Sequence, residues 1–253
     1  MQAFAVPDLP EIRPGDDLAT LVAERADLTD GDVVLVASTV VSKAEGRTAD
    51  LADFDPGERA VEIADRIAAA TDEPKDPRFA QAVLEESTDL LLTSPFILAV
   101  TPSGHVGVNA GIDRSNTGSA ELLLLPEDPQ ESAAGLRASF DADVAVVVTD
   151  TSGRPFRIGQ RGVAIGWSGL PATRDWRGET DRDGRELEAT VEAVVDELAA
   201  TANLVTGEGD GGRPVAVVRG FDYDGFDGSP TLFRDPETDF VRQALQEWSY
   251  AGH

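Results

Sequence analysis

The chain contains no cysteine, which excludes disulfide scaffolds, thiolate metal sites and cysteine nucleophiles. Histidine is nearly as scarce. His105 and His253 are the two in 253 residues, so a histidine-rich metal centre or a His-to-His proton relay has no material to be built from. Lysine is reduced to Lys43 and Lys75, every other basic side chain being arginine. Long hydrophobic runs are also missing: stretches such as 122–125 and 144–148 fall far short of the ~20 residues needed to span a bilayer. The first residues, MQAFAVPDLPEIRPGDD, show neither a basic n-region nor an apolar h-region, so they are not read as a signal peptide. The expectation is a soluble, cytoplasmic protein.

What is abundant is negative charge. Forty-seven Asp and Glu against 21 Lys and Arg give a formal net charge of −26. Binding of nucleic acid or anionic lipid needs clustered positive charge, so neither a nucleic acid nor a membrane is expected as a partner. The acids are spread along the whole chain, which fits a solvated surface in concentrated salt better than an acidic patch for a basic partner. With 41% hydrophobic residues, the chain can bury a sizeable core, and its length suits one large domain or two modest lobes.

Short β-branched runs bounded by Gly, Pro or Asp predict strands at 32–37, 96–101, 144–149, 163–167 and 214–219. Helical spacing predicts helices at 16–26, 58–70 and 129–140. A longer helix is predicted over 185–205, with Leu187, Val191, Val194, Leu198 and Leu204 as its apolar stripe, Asp181 and Asp183 as capping residues and Gly207 as its stop. A last helix, 236–250, is expected to bury Phe240, Val241, Leu245 and Trp248. Strands and helices mix without strict βαβ alternation, which predicts an α+β fold with mixed sheets and flanking helices. The chain is read as a single unit over 1–253, with the Pro- and Asp-rich stretch 71–78 as a candidate boundary between two lobes.

Neither lysine has Walker A spacing. Gly207-Glu208-Gly209-Asp210-Gly211-Gly212 matches G-x-G-x-x-G literally, but it follows a helix and precedes a strand, the reverse of a dinucleotide fingerprint. It is read instead as a flexible loop whose backbone can approach a ligand. Asp150 and Thr151 end the strand 144–149 beside a glycine turn, and Asp113 sits in the polar loop Asn109-Ala-Gly-Ile-Asp113-Arg-Ser-Asn116. Each Asp is either a turn cap or, with Glu208, part of an all-oxygen set for a hard divalent cation. Lys43 follows a strand and is either an exposed loop lysine or a phosphate contact. Arg154, Arg157, Arg177 and Arg219 could clamp phosphate or carboxylate, or pair with nearby acids.

Read in order, these segments resemble the coenzyme F420-0:L-glutamate ligase family. The matching stretches are Leu9-Pro10-Glu11-Ile12 with Gly15-Asp-Asp17, Val41-Ser-Lys43-Ala-Glu-Gly-Arg47, Glu86-Ser87, 109–116 and Leu124-Leu-Pro126-Glu-Asp-Pro129. The most specific is Thr149-Asp-Thr-Ser-Gly-Arg154-Pro-Phe-Arg157 with Gly162-Val-Ala-Ile-Gly166. Asp175-Trp-Arg-Gly178, Asp183-Gly-Arg-Glu-Leu187, Asp196-Glu-Leu-Ala199 and Gly207-Glu208 complete the series. Family members often carry Gln-Lys where this chain has Ser38-Thr39, and Trp where it has Phe156.

The resemblance implies an intertwined homodimer of two-lobed α+β subunits. The activity it implies joins L-glutamate, once or repeatedly through γ-links, to coenzyme F420-0 at the expense of GTP. It further implies two divalent cations, magnesium or manganese, with a potassium ion as an additional candidate. By motif position, Asp113 and Asp150 would hold one metal, with Thr151 and Glu208 at the second. Leu9, Pro10, Glu11, Ile12, Ser38, Thr39, Lys43, Asn116, Thr206, Gly207, Glu208, Gly209, Asp210, Gly211, Gly212 and Arg213 would line the GTP site. No catalytic side chain separate from this set is implied. A two-metal phosphohydrolase and a non-catalytic GTP-binding sensor are the alternatives that the same acidic loops would serve.

Overall fold

The computed structural model describes residues 1–248 apart from Asp210, Asp224, Phe226 and Asp227. Residues 1–44 carry β1 (Gln2–Ala5), α1 (Leu18–Ala23), β2 (Val33–Ala37) and α2 (Ser38–Ala44). Next come β3 (Thr48–Ala49), α3 (Glu58–Thr71), α4 (Pro77–Glu85), β4 (Asp89–Leu92), β5 (Leu98–Val100), β6 (Val106–Val108) and β7 (Leu122–Leu123). The stretch from 129 onward holds α5 (Pro129–Ser139), β8 (Ala145–Ser152), β9 (Arg161–Ser168), β10 (Thr173–Asp175), β11 (Val191–Glu192) and α6 (Val194–Thr206). The chain then runs through β12 (Val215–Arg219), β13 (Gly228–Ser229) and α7 (Phe240–Glu247). The class is α+β with several sheets, as expected from the pattern, although among the described residues only the five-stranded sheet is mixed and the smaller ones are antiparallel.

Two compact units are built from alternating stretches of chain: unit 1 from Met1–Ala44 and Pro129–Leu232, unit 2 from Glu45–Asp128 and the segment from Phe233 onward. The stretch 71–78, read as a candidate boundary, lies inside unit 2 as the turn from α3 to α4. There Asp72 caps α3 in a left-handed conformation and Asp76 caps α4 with Pro77 at its first position.

Unit 1 is organised by a five-stranded sheet in the order β1-β12-β2-β8-β9. β2 and β8 are its one parallel pair, Ala37 lying opposite Thr149, while the other neighbours are antiparallel. A parallel pair needs a crossover connection, and here the crossover contains residues 45–128 of unit 2. Residues Val33–Val36 and Ala145–Val148 are buried throughout, which is why both strands read as continuous apolar runs without alternation.

Helices α5 and α6 pack on β9, and two glycines let them approach. A Cβ on Gly166 would lie 2.1 Å from the Pro129 carbonyl oxygen, and one on Gly162 would lie 2.3 Å from that of Ala199. These are backbone atoms that cannot move aside, so the Gly162-to-Gly166 motif is explained by packing.

Unit 2 holds the sheets β4-β5-β6 and β3-β7. Its core gathers Ile63, Ile67, Phe79, Val83, Ile97, Leu122 and Leu124.

Two helices differ from expectation. The long helix expected over 185–205 begins only at Val194. The Asp181 carboxylate accepts the N–H groups of Asp183 and Arg185 at 2.9 and 2.8 Å, closing a turn bridged by Thr180 and Glu186. Asp side chains compete for backbone donors in this way, so Asp181 shapes a turn and does not cap a helix. Val191 then joins β11 and is exposed, as is Leu204, so neither belongs to a buried stripe. Gly207, with φ 73°, stops α6 as expected.

The last helix, α7, starts at Phe240 behind an Asp239 cap that accepts from Val241 and Arg242. Residues 249 and 250 of the expected span lie outside the described residues. Phe240, Val241 and Trp248 are exposed, contrary to expectation. The helix is tied down by the half-buried Leu245 and by Arg242, which meets Asp89 at 2.8 Å, a narrow face that leaves its other apolar residues uncovered.

Candidate functional site

The site in unit 1 is built at the end of β8. Between β8 and β9 the register shifts: Val148 faces Gly166 but Thr149 faces Ala164, so Ile165 is the extra residue of a bulge. Bulges leave backbone groups unpaired and re-aim side chains. The Asp196 carboxylate, in the first turn of α6, accepts the Ala164 N–H at 2.9 Å and meets Arg161 at 3.4 Å. That contact fixes α6 against β9, the antiparallel neighbour of the strand that carries Asp150 and Thr151.

Successive residues of a strand point to opposite faces, and Asp150 and Thr151 serve different clusters. The Ser38 hydroxyl, buried at the start of α2, donates to Asp150 Oδ1 at 3.4 Å. The parallel β2–β8 pairing that sets Ala37 beside Thr149 makes this contact possible. On the other side, Thr151 Oγ1 donates to Glu208 Oε1 at 2.8 Å, and the same oxygen accepts from Asn203 Nδ2 at 2.5 Å. Glu208 reaches this position because α6 ends at Gly207, whose N–H bonds the Asn203 carbonyl at 2.9 Å.

Lys43 is not an exposed loop residue: helix starts directly after β2, and Lys43 lies in its last turn with a side chain only 12% exposed. Its ammonium pairs with Glu11 at 2.5 Å, so two of the expected nucleotide contacts meet. Leu9 is half-buried, Pro10 exposed and Ile12 buried, Ile12 anchoring the segment. Thr39 is half-buried on α2. Thr206 closes α6 with a hydroxyl bond to the Ala202 carbonyl, and Gly209, Gly211, Gly212 and Arg213 are exposed. Asp210 lies outside the described residues.

Asp113 and Asn116 belong to unit 2. There Asp113 accepts the Ser115 N–H at 2.7 Å and its hydroxyl as well, the turn-forming arrangement of such a residue. Asn116 is exposed with φ 53°. In the same unit Arg47 binds Glu86 at 2.5 Å and the Leu125 carbonyl at 2.9 Å. Burial pushes the Glu86 carboxyl above its ordinary range against the pull of Arg47.

The four arginines divide. Arg219 clasps the buried Asp32 through two bonds of 2.8 and 2.7 Å, and despite the cost of burial this pairing lowers the Asp32 pKa. Arg177 clasps Asp175 and holds its carboxyl down at about 2. Arg154 and Arg157, on the β8–β9 hairpin, make no ion pair among the described residues.

Among the described residues no three Asp, Glu or His side chains converge as a ready metal cage. The oxygens that do converge are Asp150 with Ser38 and Glu208 with Thr151, hard donors of the kind divalent cations take. The sequence singled out Asp150, Thr151 and Glu208, but missed Asn203 and the role of Asp196. Asn203 carries no periodic or motif signal. Its position just before a Gly stop and an acid was the one available clue.

Residues 8–220 match the F420-0:Gamma-glutamyl ligase family. The chain is 72% identical, over the full length of both, to the coenzyme F420:L-glutamate ligase of Halobacterium salinarum. It is 65% identical to that of Halorubrum lacusprofundi, with 99% of each chain covered. It is also 49% identical to that of Archaeoglobus fulgidus, over 97% of this chain and 98% of the relative. An α+β protein with an oxygen-lined strand end, the chain belongs to the F420-0:gamma-glutamyl ligase family. No helix among the described residues is long and apolar enough to cross a membrane.

Proposed function

We propose that the protein is a GTP-dependent ligase, a cytoplasmic homodimer that joins the terminal carboxylate of coenzyme F420-0 to the amino group of L-glutamate, with release of GDP and phosphate. Family membership supports the reaction. The observation that carries the residue assignment is the convergence of Asp150 with Ser38, and of Glu208 with Thr151, at the end of β8.

A carboxylate is a poor acylating agent and must be activated. Its oxygen attacks the γ-phosphorus of GTP; the new O–P bond forms as the bond to the bridging oxygen breaks and GDP leaves. The glutamate nitrogen then attacks the acyl carbon, loses a proton and expels phosphate. Phosphoryl transfer of this kind asks for positioning and charge neutralisation and requires no protein nucleophile. Asp150 would hold one divalent cation, magnesium or manganese, and Glu208 with Thr151 a second. Such ions supply charge neutralisation at the phosphates. Lys43, held by Glu11, offers a fixed cation to a phosphate oxygen, and the glycine backbone of 207–212 can approach the nucleotide closely.

The activation step is tested with ¹⁸O in the substrate carboxylate. An acyl-phosphate route places one ¹⁸O in the released phosphate; phosphate free of label rules that route out.

A further inference from the structure

Arg154 and Arg157 make no ion pair among the described residues. They flank Phe156 on the β8–β9 hairpin, residues 153–160. Phe156 is 104% and Ile158 102% exposed. Phe156 also holds a left-handed backbone with φ 65°, a conformation that bulky residues rarely adopt and that clusters at functional positions. Residues 151–174 contain no Asp or Glu and carry Arg154, Arg157, Arg161 and Arg174. The local charge is thus opposite to that of the protein. The base of this arm is rigid, through the β8–β9 ladder and the grip of Asp196 on Arg161 and Ala164. The strand that feeds it is the one carrying Asp150 and Thr151.

We propose that this hairpin is the docking arm for the anionic, ring-bearing substrate, with Phe156 and Ile158 forming an apolar platform under the planar deazaflavin and Arg154 and Arg157 pairing with its phosphate and carboxylate groups. The assignment rests on the ligase reading above. Charge complementarity selects the occupant: an anion with a flat ring satisfies both pairs of side chains, by guanidinium pairing and by ring stacking. In concentrated salt the Debye length is only ~3 Å, so long-range attraction is screened. Contact pairs and apolar burial then have to act together, which is why the arm presents both.

The test uses the full-length protein without GTP, titrated with F420-0 and followed by deazaflavin fluorescence. Phe156→Ala and the double variant Arg154→Gln/Arg157→Gln are expected to bind F420-0 about ten-fold more weakly, and Phe156→Trp to retain affinity. The KM for F420-0 rises in parallel, while the KM values for GTP and Mn²⁺, the melting temperature and the solution mass stay unchanged. Unaltered F420-0 affinity in both weakened variants overturns the docking role while leaving the ligase reading intact. A change of solution mass assigns the arm to an interface between copies and also overturns it. Wild-type protein that neither binds nor glutamylates F420-0 removes the ligase reading and this proposal together.

Discussion

The Thr151 hydroxyl and the Glu208 carboxylate meet at 2.8 Å, joining residues 57 apart in the chain. Asn203 donates to the same carboxylate oxygen, so Oε1 is held by two donors.

Glu208→Ala should raise the Mn²⁺ requirement and lower turnover without changing apo stability, because Glu208 is exposed and covers no core. Asn203→Ala should raise the Mn²⁺ requirement by about ten-fold, as loss of an orienting partner usually does, with turnover restored at saturating metal. Direct Mn²⁺ binding, followed by electron paramagnetic resonance in the absence of turnover, checks both. Wild-type titration curves for Glu208→Ala would reduce it to a surface acid.

Asp150→Asn should abolish turnover and leave the fold intact, since on the proposed metal assignment it removes a ligating charge at a strand end and exposes no apolar surface. Circular dichroism establishes the fold. Near-normal activity of the folded variant at saturating Mn²⁺ contradicts the assignment.

Glycine substitutions should differ in sign. Gly166→Ala and Gly162→Ala place a Cβ within 2.1 and 2.3 Å of backbone oxygens and should destabilise by about 1–3 kcal/mol or more. Gly135→Ala, in the middle of α5 with open space around its Cβ, should stabilise by up to about 1 kcal/mol. Denaturant midpoints decide; equal midpoints for all three refute the close-approach account.

His105 is buried in the β5–β6 turn, and desolvation of its charged form lowers its pKa from 6.5 to about 4. Between those values the unfolded chain binds a proton that the folded protein refuses. The stability it contributes is therefore complete above pH 6.5 and is lost as the pH falls through about 4. At about 1.4 kcal/mol per pKa unit the loss approaches roughly 3 kcal/mol. Melting temperatures from pH 7 to 4 should fall less steeply for His105→Leu than for wild type; parallel profiles would be evidence against a neutral buried ring.

Salt dependence follows from the −26 charge. Lowering KCl from 1 M to 0.1 M lengthens the Debye length from ~3 to ~10 Å and unscreens carboxylate repulsion. The melting temperature should drop on dilution. A flat or rising one denies that the acidic surplus is salt adaptation.

The central strands were legible because β2, β8 and β12 are short β-branched runs buried on both faces, a composition with few alternatives. The start of α6 was not, because Leu187 and Val191 fall at helical spacing while Asp181 diverts the backbone into a turn. Periodicity cannot see a side chain bonding its own backbone. The α7 residues were misjudged because apolarity was equated with burial, and Phe240 and Trp248 remain exposed. In the site, Asp150, Thr151 and Glu208 stood out by residue type and turn context. The helix holding Lys43 and the amide of Asn203 did not, since both depend on contacts that no local pattern encodes.

The most direct test incubates the purified protein with F420-0, GTP, Mn²⁺ and L-glutamate and follows the products by mass spectrometry. A coenzyme heavier by one glutamyl unit, formed with one GDP per amide bond, is the predicted result. GDP without glutamylated coenzyme, or no turnover at all, would contradict it.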